Sequence, residues 1–213
     1  MLKTLEIPIR KRLEKHNTSP FKKVDRTIQF VPEGARRRTK KAKQDRPTCL
    51  DEARDWECVV DYKDSPYVFP VHICVTAQRP DILIWSDSLR SVIMIELTCP
   101  MEENIMDART RKEIRYKDLI DQIRDQDPKW SVVLKTVEVG AKGLVSLSVS
   151  RCLRALGIKQ TTQIIRDLSE VVARCSFTIH GARAVSQWNK RKLLVMEKKK
   201  VVTEKDGKEN VVK

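Results

Sequence analysis

Two short apolar runs, residues 81–86 (DILIWS) and 91–98 (SVIMIELT), constrain this chain more than any other feature in it. Each has the length of a strand and is bounded by turn-forming residues. Asp87, Ser88, Leu89 and Arg90 between them suit a turn. The pair therefore predicts a β-hairpin near the middle of a sheet.

The rest of the chain is read outward from that hairpin. Thr48 and Asp51 have capping-box spacing and predict a short helix reaching Trp56. Residues 58–62 and 68–76 are β-rich. Pro100 predicts the start of a long helix, with Glu102 and Glu103 in its first turn and a stop before Pro128. Ile105, Ala108, Lys112, Tyr116, Leu119 and Ile123 recur at spacings of three and four, so they share one stripe of it. A strand over 131–139 and helices over 147–156 and 161–188 follow. This order predicts an α/β domain over residues 48–188, with a mixed central sheet flanked by helices. Residues 1–47 are expected to form a basic, poorly ordered arm, because Pro8, Pro20 and Pro32 interrupt helices. Residues 189–213 are charged and aperiodic, and are expected to form a disordered tail.

Charge narrows the partners. Lys and Arg number 43 against 29 Asp and Glu, a formal net charge of +14. That balance favours a polyanion, DNA or RNA. A membrane is not expected, since no apolar run approaches the ~20 residues of a spanning helix. No signal peptide is read at Met1, and the six cysteines show no Cys-x-x-Cys pair. Free thiols in a nuclear or cytoplasmic protein are expected. The run Arg36, Arg37, Arg38, Lys40, Lys41 and Lys43 reads as a solvated linker, a phosphate-binding arm or a nuclear-import signal. No glycine-rich phosphate loop and no Gly-x-Ser-x-Gly elbow occurs, so no small-molecule cofactor is expected.

Two acids stand out by position. Asp81 opens the first strand after Pro80, and Glu96 interrupts the apolar run of the second. In a hairpin the start of one strand lies beside the end of the other, so both carboxylates can reach one point. Burying such an acid is costly unless it is paired or bound to metal, and two acids together repel. A divalent ion resolves both problems. Mg²⁺ (or Mn²⁺) on Asp81, Glu96 and the Leu97 carbonyl is the candidate set. Lys112 on the apolar stripe is the candidate catalytic cation. Lys117, roughly 140° further round at about 100° per residue, should face solvent. Each residue also has a plain reading: Asp81 a turn acid, Glu96 a solvent-facing edge residue, Lys112 a snorkelling lysine.

Arg79-Pro80-Asp81, fourteen residues, then Glu96-Leu97-Thr98 resembles the PD-(D/E)XK nucleases. More closely it resembles the restriction-like endonuclease of site-specific non-LTR retrotransposon proteins and related retroelement-derived animal proteins. Ala53-Arg54-Asp55-Trp56, Phe69-Pro70, Ala108, Arg111-Lys112, Tyr116 and Val137-Glu138-Val139-Gly140 belong to the same pattern. The resemblance implies a restriction-endonuclease-like core and metal-dependent DNA nicking, with Asp81 and Glu96 as metal ligands and Lys112 as the catalytic lysine. Arg115 and Tyr116 are further candidates for DNA contact, and Tyr116 is equally a candidate for core packing. Asp51, Glu52 and Asp55 are candidates for a secondary ligand or for helix N-terminal charge. Thr98 departs from the broader pattern, which has lysine there. A nuclease fold that has lost catalysis and only binds nucleic acid is therefore the alternative.

Overall fold

The computed structural model describes residues 1–20 and 47–183. The basic run at 36–43 and the tail from 189 lie outside the described residues. Met1–Val172 form one compact unit. The described part of the second, which begins at Ala173, is the closing stretch of a helix.

The predicted hairpin is the centre of a four-stranded mixed sheet. Its strands are β1 (Glu57–Val60), β2 (Ile82–Ser86), β3 (Ser91–Thr98) and β4 (Ser131–Glu138), in the order β1-β2-β3-β4. β1, β2 and β3 pair antiparallel, and β4 joins β3 in parallel. The parallel step needs a long crossover. The helix α2 (Ile105–Gln126) supplies it, entered through a 3₁₀ turn at Glu102–Asn104 rather than directly at Pro100. The helices α3 (Leu147–Ala155) and α4 (Thr161–Arg183) follow, inside the predicted spans.

Alternation along the strands divides the core in two. Ile82, Ile84, Ile93, Ile95, Leu97, Val137 and Val139 pack with α3, with the first half of α4 and with an N-terminal helix. Leu83, Trp85, Val92, Met94 and Val132 pack against Tyr116, Leu119 and Ile123 of α2, and against Phe69, Ile73 and Cys74. Both faces of the hairpin are thus covered, which is why its two runs are apolar almost throughout, with Glu96 the exception.

The N-terminal helix corrects the expectation of a disordered start. Helix α1 (Leu2–Asn17) contains Pro8 and buries Leu5, Ile9, Leu13 and His16. An interior proline costs about 3 kcal/mol. Each buried Leu or Ile returns about 1.5–3 kcal/mol, so three of them outweigh it. The spacing of residues 5, 9, 13 and 16 was a readable helical stripe that the proline count obscured.

Two further expectations fail for local reasons. The Thr48–Asp51 box forms: Thr48 N donates to Asp51 Oδ2 at 2.7 Å, and Thr48 Oγ1 donates to Asp51 Oδ1 at 2.7 Å. No helix grows from it. The Leu50 carbonyl is taken instead by the Trp56 indole N–H at 3.0 Å and lies 2.6 Å from His16 Nε2. Residues 68–76 form turns rather than a strand. Ile73 N and Cys74 N both donate to the Pro70 carbonyl, at 3.0 and 3.1 Å. Phe69, Ile73 and Cys74 point inward while Val68, Val71 and Val75 are exposed, a pattern with no period of two.

Candidate functional site

The hairpin register decides where the acids meet. Ile82 lies opposite Ile95, so Asp81 falls opposite Glu96 and Pro80 opposite Leu97. Asp81 alternates with Leu83 and Glu96 with Met94, so both begin on the face covered by α2. The two acids are knitted together through backbone donors. Asp81 N donates to Glu96 Oε2 at 3.2 Å, and Leu97 N donates to Asp81 Oδ2 at 2.6 Å.

Lys112 completes the group. Its Nζ lies 2.5 Å from Glu96 Oε1. The Glu96 side chain is 3 % exposed and that of Lys112 25 %, so the ammonium reaches the acid from the rim. Glu96 is therefore not a solvent-facing edge residue. Lys117 is exposed, as its angular position requires. Lys112 shares the stripe of Ala108, Tyr116 and Leu119, and the helix period alone brings it over the end of β3.

Proline 80 has a specific consequence. Thr98 O accepts from Val139 N at 3.0 Å, so even-numbered groups of β3 face β4 and odd-numbered groups face β2. Leu97 thus directs its N–H and C=O toward Asp81 and Pro80. Proline has no N–H, so the ladder bond that the Leu97 carbonyl would accept from residue 80 cannot form. Two carboxylates and this carbonyl, hard oxygen donors all, converge at one end of the hairpin. They fit the preferences of a divalent ion that keeps several waters. Among the described residues no three His, Cys, Asp or Glu side chains are grouped so as to hold a metal ion, so any ion here would rest on Asp81, Glu96 and backbone oxygen.

Burial pushes the Asp81 carboxyl up to about 6, and the Glu96 charge adds to the rise. The Leu97 N–H and Lys112 offset only part of it.

The stretch leading into Asp81 is held carbonyl by carbonyl. Tyr116 Oη lies 3.0 Å from Arg79 O and 2.9 Å from Glu96 Oε2. Tyr67 donates to Pro80 O at 3.0 Å, and Asp61 N donates to Asp81 O at 2.9 Å. Asp61 also pairs with Arg79 Nε at 3.2 Å. Burial, and then neighbouring acids, raise both tyrosines well above the usual phenol range, so they serve as donors. Sequence reasoning missed Tyr67 and Asp61. Neither lies in a periodic run, and their partners, the Pro80 and Asp81 carbonyls and the Arg79 guanidinium, are distant in sequence.

Tyr116 is corrected as a DNA contact. It is fully buried under α2, and its ring and hydroxyl are spent on the core and on Glu96. Arg115 is exposed, with its guanidinium 5.4 Å over the Tyr116 ring, and it remains available to a polyanion. Asp51 and Asp55 are corrected as secondary ligands. Asp51 is bound to Thr48. Asp55 binds Ser86 and Ser88 at the opposite end of β2.

Behind the site, the Glu102 side chain lies against Gly140, where a Cβ would come within 2.6 Å of Oε1. A larger residue there would displace the Glu102 side chain, whose Oε1 accepts from Lys142 N at 2.7 Å and so ties the loop after β4 to the entry of α2. No helix among the described residues is long and apolar enough to cross a membrane. No protein-family model matches this chain, and no curated protein matches it.

Proposed function

We propose that this chain is a metal-dependent DNA endonuclease-like domain of retroelement origin that nicks phosphodiesters by hydrolysis. The observation that carries the reading is the convergence of Asp81, Glu96 and the Leu97 carbonyl at one end of the hairpin, with Lys112 against Glu96. A bound Mg²⁺ would supply Lewis-acid stabilisation of phosphate charge and a more acidic water. Asp81 and Glu96 would hold it, and the Tyr67 and Tyr116 hydroxyls would keep Asp81 and Glu96 in place. Lys112, reaching in from the rim, would face the substrate phosphate or the attacking water. Arg115 and the basic run at 36–43 would add sequence-independent phosphate affinity. A restriction-endonuclease-like core is part of this proposal and rests on the motif resemblance.

The second reading is a nuclease fold that binds nucleic acid without cutting it. The close Lys112–Glu96 ion pair favours it, because the lysine already neutralises a ligand oxygen. Plasmid nicking separates the two. The nuclease reading expects nicked circles with Mg²⁺, none with EDTA, and none from Lys112→Ala or Glu96→Ala. Equal nicking by wild type and both variants would remove the assignment. No nicking with intact salt-sensitive DNA binding would establish the second reading.

A further inference from the structure

A second basic feature lies beside the carboxylate cluster, at the open edge of the sheet. β4 is the last strand in the order, so its outer side has no strand partner among the described residues. A cavity of about 190 Å³ opens there, lined by Arg109, Lys135, Thr136 and Arg151, with Glu113 among its other walls. Arg109 comes from α2 on one face of the sheet. Arg151 comes from α3 on the other, and Lys135 lies close enough to Cys152 of α3 to influence its thiol. The cations therefore straddle the edge from both sides.

The backbone adds a donor. Ser131 N donates to Arg90 O and Val139 N to Thr98 O, so the odd-numbered groups of β4 face β3. The Thr136 N–H then faces the open edge, into the same cavity. Three cations stand against the lining carboxylate of Glu113 and the buried carboxylate of Glu138, which lies behind Ser148 and acts on Arg109. Glu113 pairs with Arg109 at 2.8 Å, with side chains 49 % and 42 % exposed. Such a surface pair is weak, and a phosphate can take its place on the guanidinium. Ser148 also lines the cavity but gives its hydroxyl proton to Glu138, so it is not counted as a donor.

The position is informative. Thr136 is the register partner of Glu96. The cavity thus begins one strand spacing, about 4.8 Å, outside the acid cluster. Arg109 sits one helical turn before Lys112 on the same helix.

We propose that this edge cavity is a phosphate subsite that holds a backbone phosphate of the nucleic acid next to the one at Asp81 and Glu96. It rests on the nucleic-acid reading above and assigns Lys135, Arg151, Arg109 and the Thr136 N–H a binding role. An isolated basic pocket would serve any phosphate. One placed a strand away from the carboxylates fixes the register of a polynucleotide across them.

The test compares the wild-type chain with Lys135→Ala/Arg151→Ala, both checked for folding by circular dichroism. Duplex affinity is measured across a salt series, and inorganic phosphate is titrated while the Thr136 amide resonance is followed. The proposal expects a saturable Thr136 shift with phosphate in the wild type only. It expects the double variant to bind duplex roughly tenfold more weakly, with a log–log salt slope shallower by about 1. Unchanged affinity and slope in a folded variant, or a wild type that binds no duplex, would overturn it. A phosphate shift without any change on duplex would mean a site for free phosphate only, which also overturns it. Loss of affinity and slope in a wild-type background that never nicks would uphold the subsite and remove the nuclease reading instead.

Discussion

The two ends of the central hairpin treat their carboxylates in opposite ways. At the Ser86–Ser91 end, Asp55 accepts from Ser86 Oγ at 2.6 Å, Ser88 Oγ at 2.6 Å and Ser88 N at 2.8 Å. Burial raises its pKa, but those donors outweigh burial and bring it down to about 2. At the other end, Asp81 faces Glu96, and its pKa rises to about 6. One acid is satisfied by the fold and the other is held at a cost. A carboxylate kept where the fold opposes its charge is the one to associate with chemistry, since a bound cation removes the cost.

The largest expected effect that sharpens this contrast is a response to metal. If Asp81 and Glu96 bind Mg²⁺, saturating it at about 100 times the dissociation constant should stabilise the chain by about 2.7 kcal/mol. Thermal melts with Mg²⁺ and with EDTA read this directly. Asp55→Asn should keep the response and Asp81→Asn should lose it. A response that survives Asp81→Asn would break the contrast.

Next come the intrinsic stabilities, with opposite signs. Because the folded pKa of Asp81 is raised, the folded state binds more protons than the unfolded state between about 3.8 and 6. Stability therefore falls as pH rises through that window, and the cost is complete above it. Asp81→Asn should stabilise the metal-free protein at pH 8 by about 2 kcal/mol, with little gain at pH 4. Asp55 is the reverse case. Its depressed pKa contributes stability that is present above about 3.8 and lost as pH falls through about 2. Asp55→Asn should cost about 1 kcal/mol at pH 8 once its exposure to solvent is allowed for. Urea titrations at the two pH values check both signs. Nicking, if it depends on the Asp81 charge, should decline as pH falls, with a midpoint that moves lower as Mg²⁺ is raised, because the ion and the proton compete for the carboxylate.

The smallest effect concerns positioning. Tyr67→Phe removes the hydroxyl held on Pro80 O and should cost about 1 kcal/mol of stability. It should also raise the Mg²⁺ concentration needed for half-maximal stabilisation by roughly tenfold. A loss of stability with no change in that concentration would make Tyr67 a structural residue alone.

Much of this site is legible in the primary structure because it is written in local terms. The hairpin follows from two short apolar runs and the turn between them. The pairing of Asp81 with Glu96 follows from antiparallel arithmetic. The place of Lys112 follows from helical spacing on the stripe of Ala108 and Tyr116. Helix α1 is legible too, in the stripe of Leu5, Ile9 and Leu13, which outweighs Pro8. A single breaker is a local penalty of fixed size, whereas burial grows with each residue on the stripe.

Tertiary structure decided what depends on which atoms are already taken. The capping box at Thr48 forms without a helix because the Leu50 carbonyl is claimed by Trp56 and lies against His16. Residues 68–76 turn on the Pro70 carbonyl and so cannot extend. Asp55 is consumed by Ser86 and Ser88, and Tyr116 is buried against Glu96 rather than offered to DNA. The cavity at the β4 edge joins cations from three separate elements. Sequence by itself determined the periodicities, and with them the strands, the long helix and the meeting of Asp81, Glu96 and Lys112. Only the folded chain decided how each hydrogen-bonding group was satisfied, because donors and acceptors far apart in sequence compete for partners that exist only after packing.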